Sequence, residues 1–175
     1  MQKSVEDWSP DGKLILFNSV GAVWAAPIQG GRNPFLVLEG PRSDQSKLSP
    51  DGHWIAYRSS ESGRDEVYVQ GFPVAGAKWQ ISTAGGMEPN WRRDVKEMYF
   101  TNDNKLMAVD VKGTAGGFEH GAPRVLFDAP FAWEIRRNRY VPASDGQRFL
   151  VLTTGEEGAA SPIHVVLNGK SEVKR

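Results

Sequence analysis

A four-residue turn signature recurs along this chain of 175 residues and constrains its fold more than any other feature. Ser9-Pro10-Asp11-Gly12 reappears unchanged as Ser49-Pro50-Asp51-Gly52, and each copy precedes a short apolar run. Degenerate copies follow at Arg92-Arg93-Asp94-Val95 and Ala143-Ser144-Asp145-Gly146, so that the four aspartates are 40, 43 and 51 residues apart. A repeat of this length, made of short strands and turns, is typical of the blades of a β-propeller.

The second repeat shows the strands of one blade most clearly. Residues 54–57, 67–72 and 79–82 are rich in β-branched and aromatic residues and are separated by turn residues, which predicts three strands. A fourth short strand, 45–48, precedes the turn. Four antiparallel strands in one repeat make one blade.

The other repeats follow the same template. Their predicted strands are 14–17, 23–28, 35–38, 97–100, 106–111, 124–127, 148–152 and 163–167. We therefore predict an all-β fold, a β-propeller of four-stranded antiparallel blades with about four blades in an incomplete ring. The expected blades are about 1–41, 42–85, 86–130 and 131–168, followed by a tail at 169–175.

The repeated turn has a structural mechanism. Proline presets φ for the first corner, aspartate accepts hydrogen bonds from nearby amides, and glycine takes the left-handed position. Because the signature occurs four times at one period, we interpret its residues as turn formers and not as four active sites. These residues are Pro10, Asp11, Gly12, Pro50, Asp51, Gly52, Asp94, Asp145 and Gly146.

Composition narrows the classes of function. Lys and Arg together number 21, and so do Asp and Glu together. The net charge is therefore zero and does not favour binding to nucleic acid or to an anionic membrane. The absence of cysteine excludes disulfides and thiolate metal sites, but does not identify a compartment. No apolar stretch approaches the ~20 residues that span a bilayer. Residues 1–7 lack the hydrophobic core of a secretory signal.

No motif in the sequence carries catalytic or metal chemistry. His53, His120 and His164 lack the spacing of metal ligands, and there is no Gly-x-Ser-x-Gly elbow. Residues 101–105 lack the central glycine and closing glutamate of a calcium loop, so we interpret them as a hairpin turn. We therefore expect no catalytic residue, no cofactor and no metal ion.

Loops carry the predicted binding site. Loops between the second and third strands, and loops leading into the next blade, fall on one side of a propeller, around the mouth of its channel. We take that side as the candidate binding face for a protein or small-molecule ligand. Its candidate residues are Arg42, Asp44, Glu61, Arg64, Asp65, Glu88, Asn90, Asp103, Trp133, Glu134, Arg136 and Arg137.

One irregular cluster stands inside that set. Arg136 and Arg137, with Arg139, lie beside Phe131 and Trp133. We expect these residues to form the insertion that lengthens the spacing between Asp94 and Asp145 to 51 residues. Two interpretations stay open, binding of an anion or acidic peptide and a solvated run of loop charges. The tryptophans mostly occupy repeat positions, which predicts packing between blades, with Trp133 as the exception.

The sequence around the turns resembles a known family of repeats. Residues 8–17, with Val67-Tyr68-Val69 after the sister copy, resemble the WD-like repeat of TolB-type propellers, also found in tricorn-type and prolyl-oligopeptidase-related proteins. A closer resemblance, over residues 81–94, 121–127, 145–150 and 165–168, is to the C-terminal propeller of bacterial eukaryotic-like serine/threonine protein kinases. No kinase motif is present, so kinase activity is not implied for this chain.

The resemblance implies a non-catalytic binding module, the sensor or interaction domain of a larger signalling protein on the extracytoplasmic side. Two alternatives remain, a substrate-gating propeller of a prolyl-oligopeptidase-like peptidase and a TolB-like envelope scaffold. TolB-type propellers have more than four blades, so we expect this chain to be the C-terminal portion of a larger protein. Its open edges would then bind missing N-terminal blades or a second copy.

Overall fold

The computed structural model describes residues 3–114, 117–132 and 138–153, together with the backbone of residues 164–167. All regular elements in these ranges are β-strands, and no helix capable of crossing a membrane occurs in them. The strands form antiparallel sheets that follow one another in chain order. The predicted all-β architecture is therefore confirmed.

The strands of the described ranges belong to four sheets. Sheet 1 contains β1 (Lys3–Trp8), β2 (Leu14–Ser19), β3 (Ala22–Pro27) and β4 (Phe35–Glu39). Sheet 2 contains β5 (Asp44–Leu48), β6 (Trp54–Ser59), β7 (Glu66–Gly71) and β8 (Lys78–Gln80). Sheet 3 contains β9 (Met87–Trp91), β10 (Glu97–Asn102), β11 (Lys105–Thr114), β12 (Gly117–His120) and β13 (Arg124–Asp128). Sheet 4 contains β14 (Tyr140–Pro142), β15 (Arg148–Val151) and β16 (His164–Leu167).

The repeated turn joins the first two strands of every sheet and is closed by its own polar atoms. Asp51 Oδ1 accepts a hydrogen bond from the His53 amide at 3.1 Å, and Ser49 Oγ accepts one from the Trp54 amide at 3.0 Å. Gly52 has φ of +74°, in the left-handed region that glycine occupies without steric cost. The polar groups of this turn are thus used locally, to hold the corner.

The third turn keeps this shape with different residues. Arg92 replaces the serine, and its guanidinium donates two hydrogen bonds to the Asp94 carboxylate, at 2.7 and 2.9 Å. Val95 replaces the glycine and keeps a left-handed φ of +56°. An L-residue with a branched side chain is strained in that conformation. The surrounding turn and the packing of Val95 against the core hold it there.

Neighbouring sheets pack face to face through apolar side chains. We call the face turned toward the preceding sheet the front face, and the face turned toward the following sheet the back face. Leu16 and Val23, on the back face of sheet 1, pack with Ile55 and Tyr57, on the front face of sheet 2. Two further clusters join sheet 2 to sheet 3 and sheet 3 to sheet 4 in the same way. Burial of these faces is the main driving force for assembly of the sheets.

The first strands of the sheets, β1, β5, β9 and β14, contact one another in that order and surround a common axis. We call them the inner strands. They belong to different sheets, so side chains, and not a backbone ladder, connect them. Glu6 Oε2 accepts the Ser46 amide hydrogen at 2.9 Å, and Gln45 Oε1 accepts that of Glu88 at 2.9 Å. The first three inner strands are thus linked, each to the next, through a buried polar side chain.

The hairpin of β11 and β12 is an addition that the sequence did not predict. The Phe118 ring centroid lies 5.1 Å from that of Trp54 and 5.7 Å from that of Trp79, so the hairpin covers an aromatic cluster. Gly113 is needed there, because a Cβ would lie 2.7 Å from Trp54 Nε1. These extra residues contribute to the 51-residue spacing between the turn aspartates Asp94 and Asp145. The insertion predicted around Arg136 and Arg137 lies outside the described residues.

The tryptophans divide into two groups. Trp54, Trp79 and Trp91 pack between sheets 2 and 3, as expected. Trp8 is exposed and Trp24 is half-buried, and both lie on the front face of sheet 1, which no described sheet covers. Among the described residues, Trp8 therefore does not pack between sheets. Trp133 lies outside the described residues.

Candidate functional site

The predicted binding face is the side of the sheets that carries the connections into the next sheet. Residues 39–44 and 80–87 connect one sheet to the next, and the turns at 59–66 and 102–105 lie on the same side because the strands alternate in direction. Arg42, Asp44 and Asp65 come together on this side.

Arg58, at the centre of this group, organises its charges. Its guanidinium donates to both carboxylate oxygens of Asp44, at 2.7 and 2.6 Å, and to Asp65 at 3.2 Å. Arg42 Nη1 lies 3.9 Å from the other oxygen of Asp65. A two-bond arginine–carboxylate contact fixes both side chains. Sequence reasoning missed Arg58 because it follows the predicted strand 54–57 and was not counted among the loop residues; in the structure it lies within β6.

Arg64 and Glu61 form separate contacts on the same predicted binding face. Arg64 Nε donates to Glu66 Oε1 at 2.7 Å, and the buried Glu66 also accepts the Gly85 amide hydrogen at 3.0 Å. Glu61 pairs with Lys78 at 2.6 Å. These predicted residues therefore hold neighbouring loops to the sheet edge and present charge at its surface.

Asp103 occupies an outlying position. It is exposed in the turn between Asn102 and Lys105, which pair across the turn, and it has φ of +48°. The prediction that residues 101–105 form a hairpin turn is confirmed. Trp133, Glu134, Arg136 and Arg137 lie outside the described residues.

A cavity of about 40 Å³ lies where the inner strands meet. Side chains of all four inner strands and of a neighbouring loop residue surround it. They are Val5, Glu6, Gln45, Lys47, Glu88, Pro89, Asn90, Asn138 and Tyr140. A polar space of this size suits ordered water. The predicted binding-face residues Glu88 and Asn90 both line this cavity.

Glu88 forms a buried ion pair beside the cavity. Arg139 Nε donates to Glu88 Oε2 at 3.2 Å, and the two side chains are 2% and 6% exposed. Arg139 also donates to Thr101 Oγ1 at 3.2 Å, and the Tyr140 hydroxyl donates to the Glu88 carbonyl at 2.8 Å. These contacts attach sheet 4 to sheet 3. They also show that the interpretation of Arg139 as part of a solvated charge run was wrong.

Burial controls the ionisation of this group. It raises the pKa of Glu88 above the ordinary value of 4.5, although the positive charge of Arg139 acts in the opposite direction. Burial, followed by the charge of Glu88, also raises the pKa of the Tyr140 hydroxyl well above its ordinary value. Among the described residues, no three acidic or histidine side chains lie close enough together to hold a metal ion.

A signal for the buried pair was present in the sequence. Gln45, Glu88 and Arg139 each stand six residues before the aspartate of their turn. Gln45 and Glu88 lie in inner strands, and Arg139 directly precedes β14. Aligning the repeats would have singled out this position. Composition and motif searches missed it because the three residues differ in type.

Comparisons with known proteins agree with the fold. No protein-family model matches the sequence. A stretch of 106 residues, 61% of this chain, is 31% identical to Tricorn protease homolog 1 of Streptomyces coelicolor and covers 9% of that protein. A stretch of 65 residues, 35% of this chain, is 32% identical to an uncharacterized protein of Agrobacterium fabrum and covers 22% of it. The chain thus spans less than a quarter of these relatives.

Three solved structures have similar architecture. TolB from Acinetobacter baumannii matches with a TM-score of 0.70 at 16% identity, over 98% of this chain and 42% of that one. A puromycin-hydrolyzing peptidase of Mycobacterium tuberculosis matches with a TM-score of 0.64 at 20% identity, over 83% and 27%. The tricorn protease matches with a TM-score of 0.61 at 17% identity, over 95% and 17%. The fold is therefore that of a TolB-like β-propeller.

Proposed function

We propose that this chain is a non-catalytic β-propeller module that binds a protein or small-molecule ligand at the face defined by residues 39–44, 59–66, 80–87 and 102–105. One observation carries the proposal. The inner strands β5 and β9, whose side chains line the polar cavity, start directly from the connections 39–44 and 80–87, so rigid strands and variable loops meet on this side. Such places are preferred binding sites in proteins built from repeated sheets.

The proposed role of the parent protein is signalling, with this module as the sensor or interaction domain of a serine/threonine kinase. The sequence resemblance over residues 81–94 and 121–127 supports this role. The match to Tricorn protease homolog 1 favours a second candidate, a propeller that gates substrate entry to a peptidase. The architectural match to TolB favours a third, an envelope scaffold.

The gene neighbourhood separates these three roles. A kinase domain encoded in frame upstream of Met1 supports the signalling role and excludes the other two. A Ser-Asp-His hydrolase domain encoded beside the chain supports the peptidase role. A neighbouring gene for a lipoprotein partner supports the scaffold.

Binding at the proposed face is tested with two matched variants. A panel of peptides and metabolites is screened by thermal shift against the purified chain, and each hit is measured with Asn90→Ala and Lys96→Ala. Asn90 lines the cavity, whereas Lys96 is exposed on the opposite side of sheet 3. We expect Asn90→Ala to weaken binding and Lys96→Ala to leave it unchanged. The reverse result would place the binding site on the side that carries the repeated turns.

A further inference from the structure

Trp91 attaches sheet 3 to the sheet before it. It stands three residues before the turn aspartate, ends the inner strand β9 and is only 6% exposed. Its indole Nε1–H donates to the main-chain carbonyl of Lys47 in sheet 2, at 3.0 Å. A buried indole that also satisfies its polar group is a strong interface anchor.

Trp8 occupies the same repeat position in sheet 1. It ends β1 and pairs with Ile15, as Trp91 ends β9 and pairs with Met98. Trp8, however, is 58% exposed, and no described residue accepts a hydrogen bond from its indole. The same residue type at the same register is therefore buried in one sheet and solvent-exposed in the other.

The rest of the front face of sheet 1 repeats this relationship. Ile15 and Phe17 correspond to Ile55 and Tyr57 of sheet 2, which are buried against the preceding sheet. In sheet 1 both are only half-buried, and Val5 beside them is exposed. The front face of sheet 1 thus has the composition of an interface between sheets, with no described sheet packed on it.

The back face of sheet 4 is the complementary surface. Leu150 stands at the repeat position of Leu16 and Tyr99, both of which are fully buried against a following sheet. Leu150 is 40% exposed, and Val141, its partner across the strands, is 51% exposed. Val141 stands at the position of Lys47, whose carbonyl accepts the Trp91 hydrogen bond. The chain therefore carries both halves of its own sheet-to-sheet contact.

We propose that the front face of sheet 1 binds the back face of sheet 4 of a second copy of this chain. Trp8 then takes the role of Trp91, and its indole donates to the main-chain carbonyl of Val141 in the other copy. The contact continues the three sheet-to-sheet interfaces within the chain and pairs two different surfaces, so it is heterologous. If two copies make it at both ends, they close a ring of eight sheets, within the range known for propellers.

Sedimentation velocity over a wide concentration range tests the proposal with the full chain. We expect the chain to sediment as a dimer. Trp8→Glu and Val141→Glu each place a charge in one half of the contact and should weaken association roughly thirtyfold or more. Val74→Glu is the control, because Val74 is also apolar and exposed but lies between β7 and β8, away from both end faces. Circular dichroism confirms that each variant is folded.

Mixing the two variants tests whether the front face of one copy binds the back face of another. Each single variant retains one intact half, so an equimolar mixture of Trp8→Glu and Val141→Glu should recover a dimer held by one interface. The wild-type chain could instead form larger, open-ended assemblies. If each variant abolishes them, the front-to-back contact is also supported, but the ring does not close. A wild-type chain that stays monomeric overturns the proposal. So does association that neither variant reduces, or a mixture that remains monomeric.

Discussion

Val20 and Gly21 are both left-handed, with φ of +55° and +77°, and form the two-residue turn between β2 and β3. Positive φ at both positions defines the type I′ turn, whose twist matches that of the flanking strands. Gly21 adopts this conformation without cost, but Val20 carries a branched side chain and is strained there. The exposed side chain of Val20 gains little packing in return.

The first prediction follows from this strain. Val20→Asn gives the Asn-Gly pair that type I′ turns prefer, and should raise the free energy of unfolding by about 0.5–1 kcal/mol. Urea denaturation measures the change. Val20→Thr is the control, because it makes the side chain polar but keeps the branch at Cβ. Equal stabilisation by Asn and Thr would show that loss of exposed apolar surface, and not turn strain, is responsible.

The second prediction compares two glycines with similar φ and different surroundings. Gly52 has φ of +74°, and a Cβ added to it would have no atom within 4 Å. Gly52→Ala should therefore cost only the strain of the left-handed conformation, about 1–2 kcal/mol. Gly146 has φ of +68°, but a Cβ there would lie 2.6 Å from Arg92 Cδ and would also clash with the Tyr99 hydroxyl.

Gly146→Ala should therefore cost a further ~1–3 kcal/mol, because the interface between sheets 3 and 4 must shift. The comparison is made by thermal or urea unfolding of both variants under one set of conditions. Equal losses would mean that Arg92 moves aside freely and that the close approach carries no energetic cost.

The sequence predicted the strands and the turns well because their signals are local. A turn such as 49–52 is closed by its own side chains, so its residues suffice to predict it. The β12 hairpin and the buried pair of Glu88 with Arg139 depend on contacts between sheets. Position in the chain placed Arg139 among loop charges, and only the packing of sheet 4 on sheet 3 buries it. The exposure of Trp8 likewise depends on a neighbouring sheet and not on its own residues.

The third prediction concerns the polar groups of the repeated turn. Ser49→Ala removes the acceptor for the Trp54 amide and the donor to Asp51, and should lower the free energy of unfolding by about 1 kcal/mol. Asp51→Asn should be mild, because asparagine can accept the same hydrogen bond from the His53 amide. If Asp51→Asn abolished ligand binding without loss of stability, the interpretation of Asp51 as a turn former only would be wrong.

The last prediction concerns the pH dependence of stability at the buried ion pair. Burial raises the pKa of Glu88 in the folded state above the value of 4.5 that it has in the unfolded chain. The unfolded chain then releases this proton at a lower pH than the folded protein does. The contribution of Glu88 to stability is therefore fully present below the unfolded pKa and is lost as the pH rises through the folded pKa.

Glu88→Gln removes this titration, because the amide stays neutral at every pH. The amide also differs from the carboxyl group in its contacts with Arg139 at every pH, so the readout is the change of stability with pH and not its absolute value. Urea unfolding of both proteins from below pH 4.5 to neutral pH should show the wild type losing stability relative to Glu88→Gln as the pH rises. The opposite slope would mean that the attraction of Arg139 outweighs burial and that the pKa of Glu88 is lowered in the folded protein.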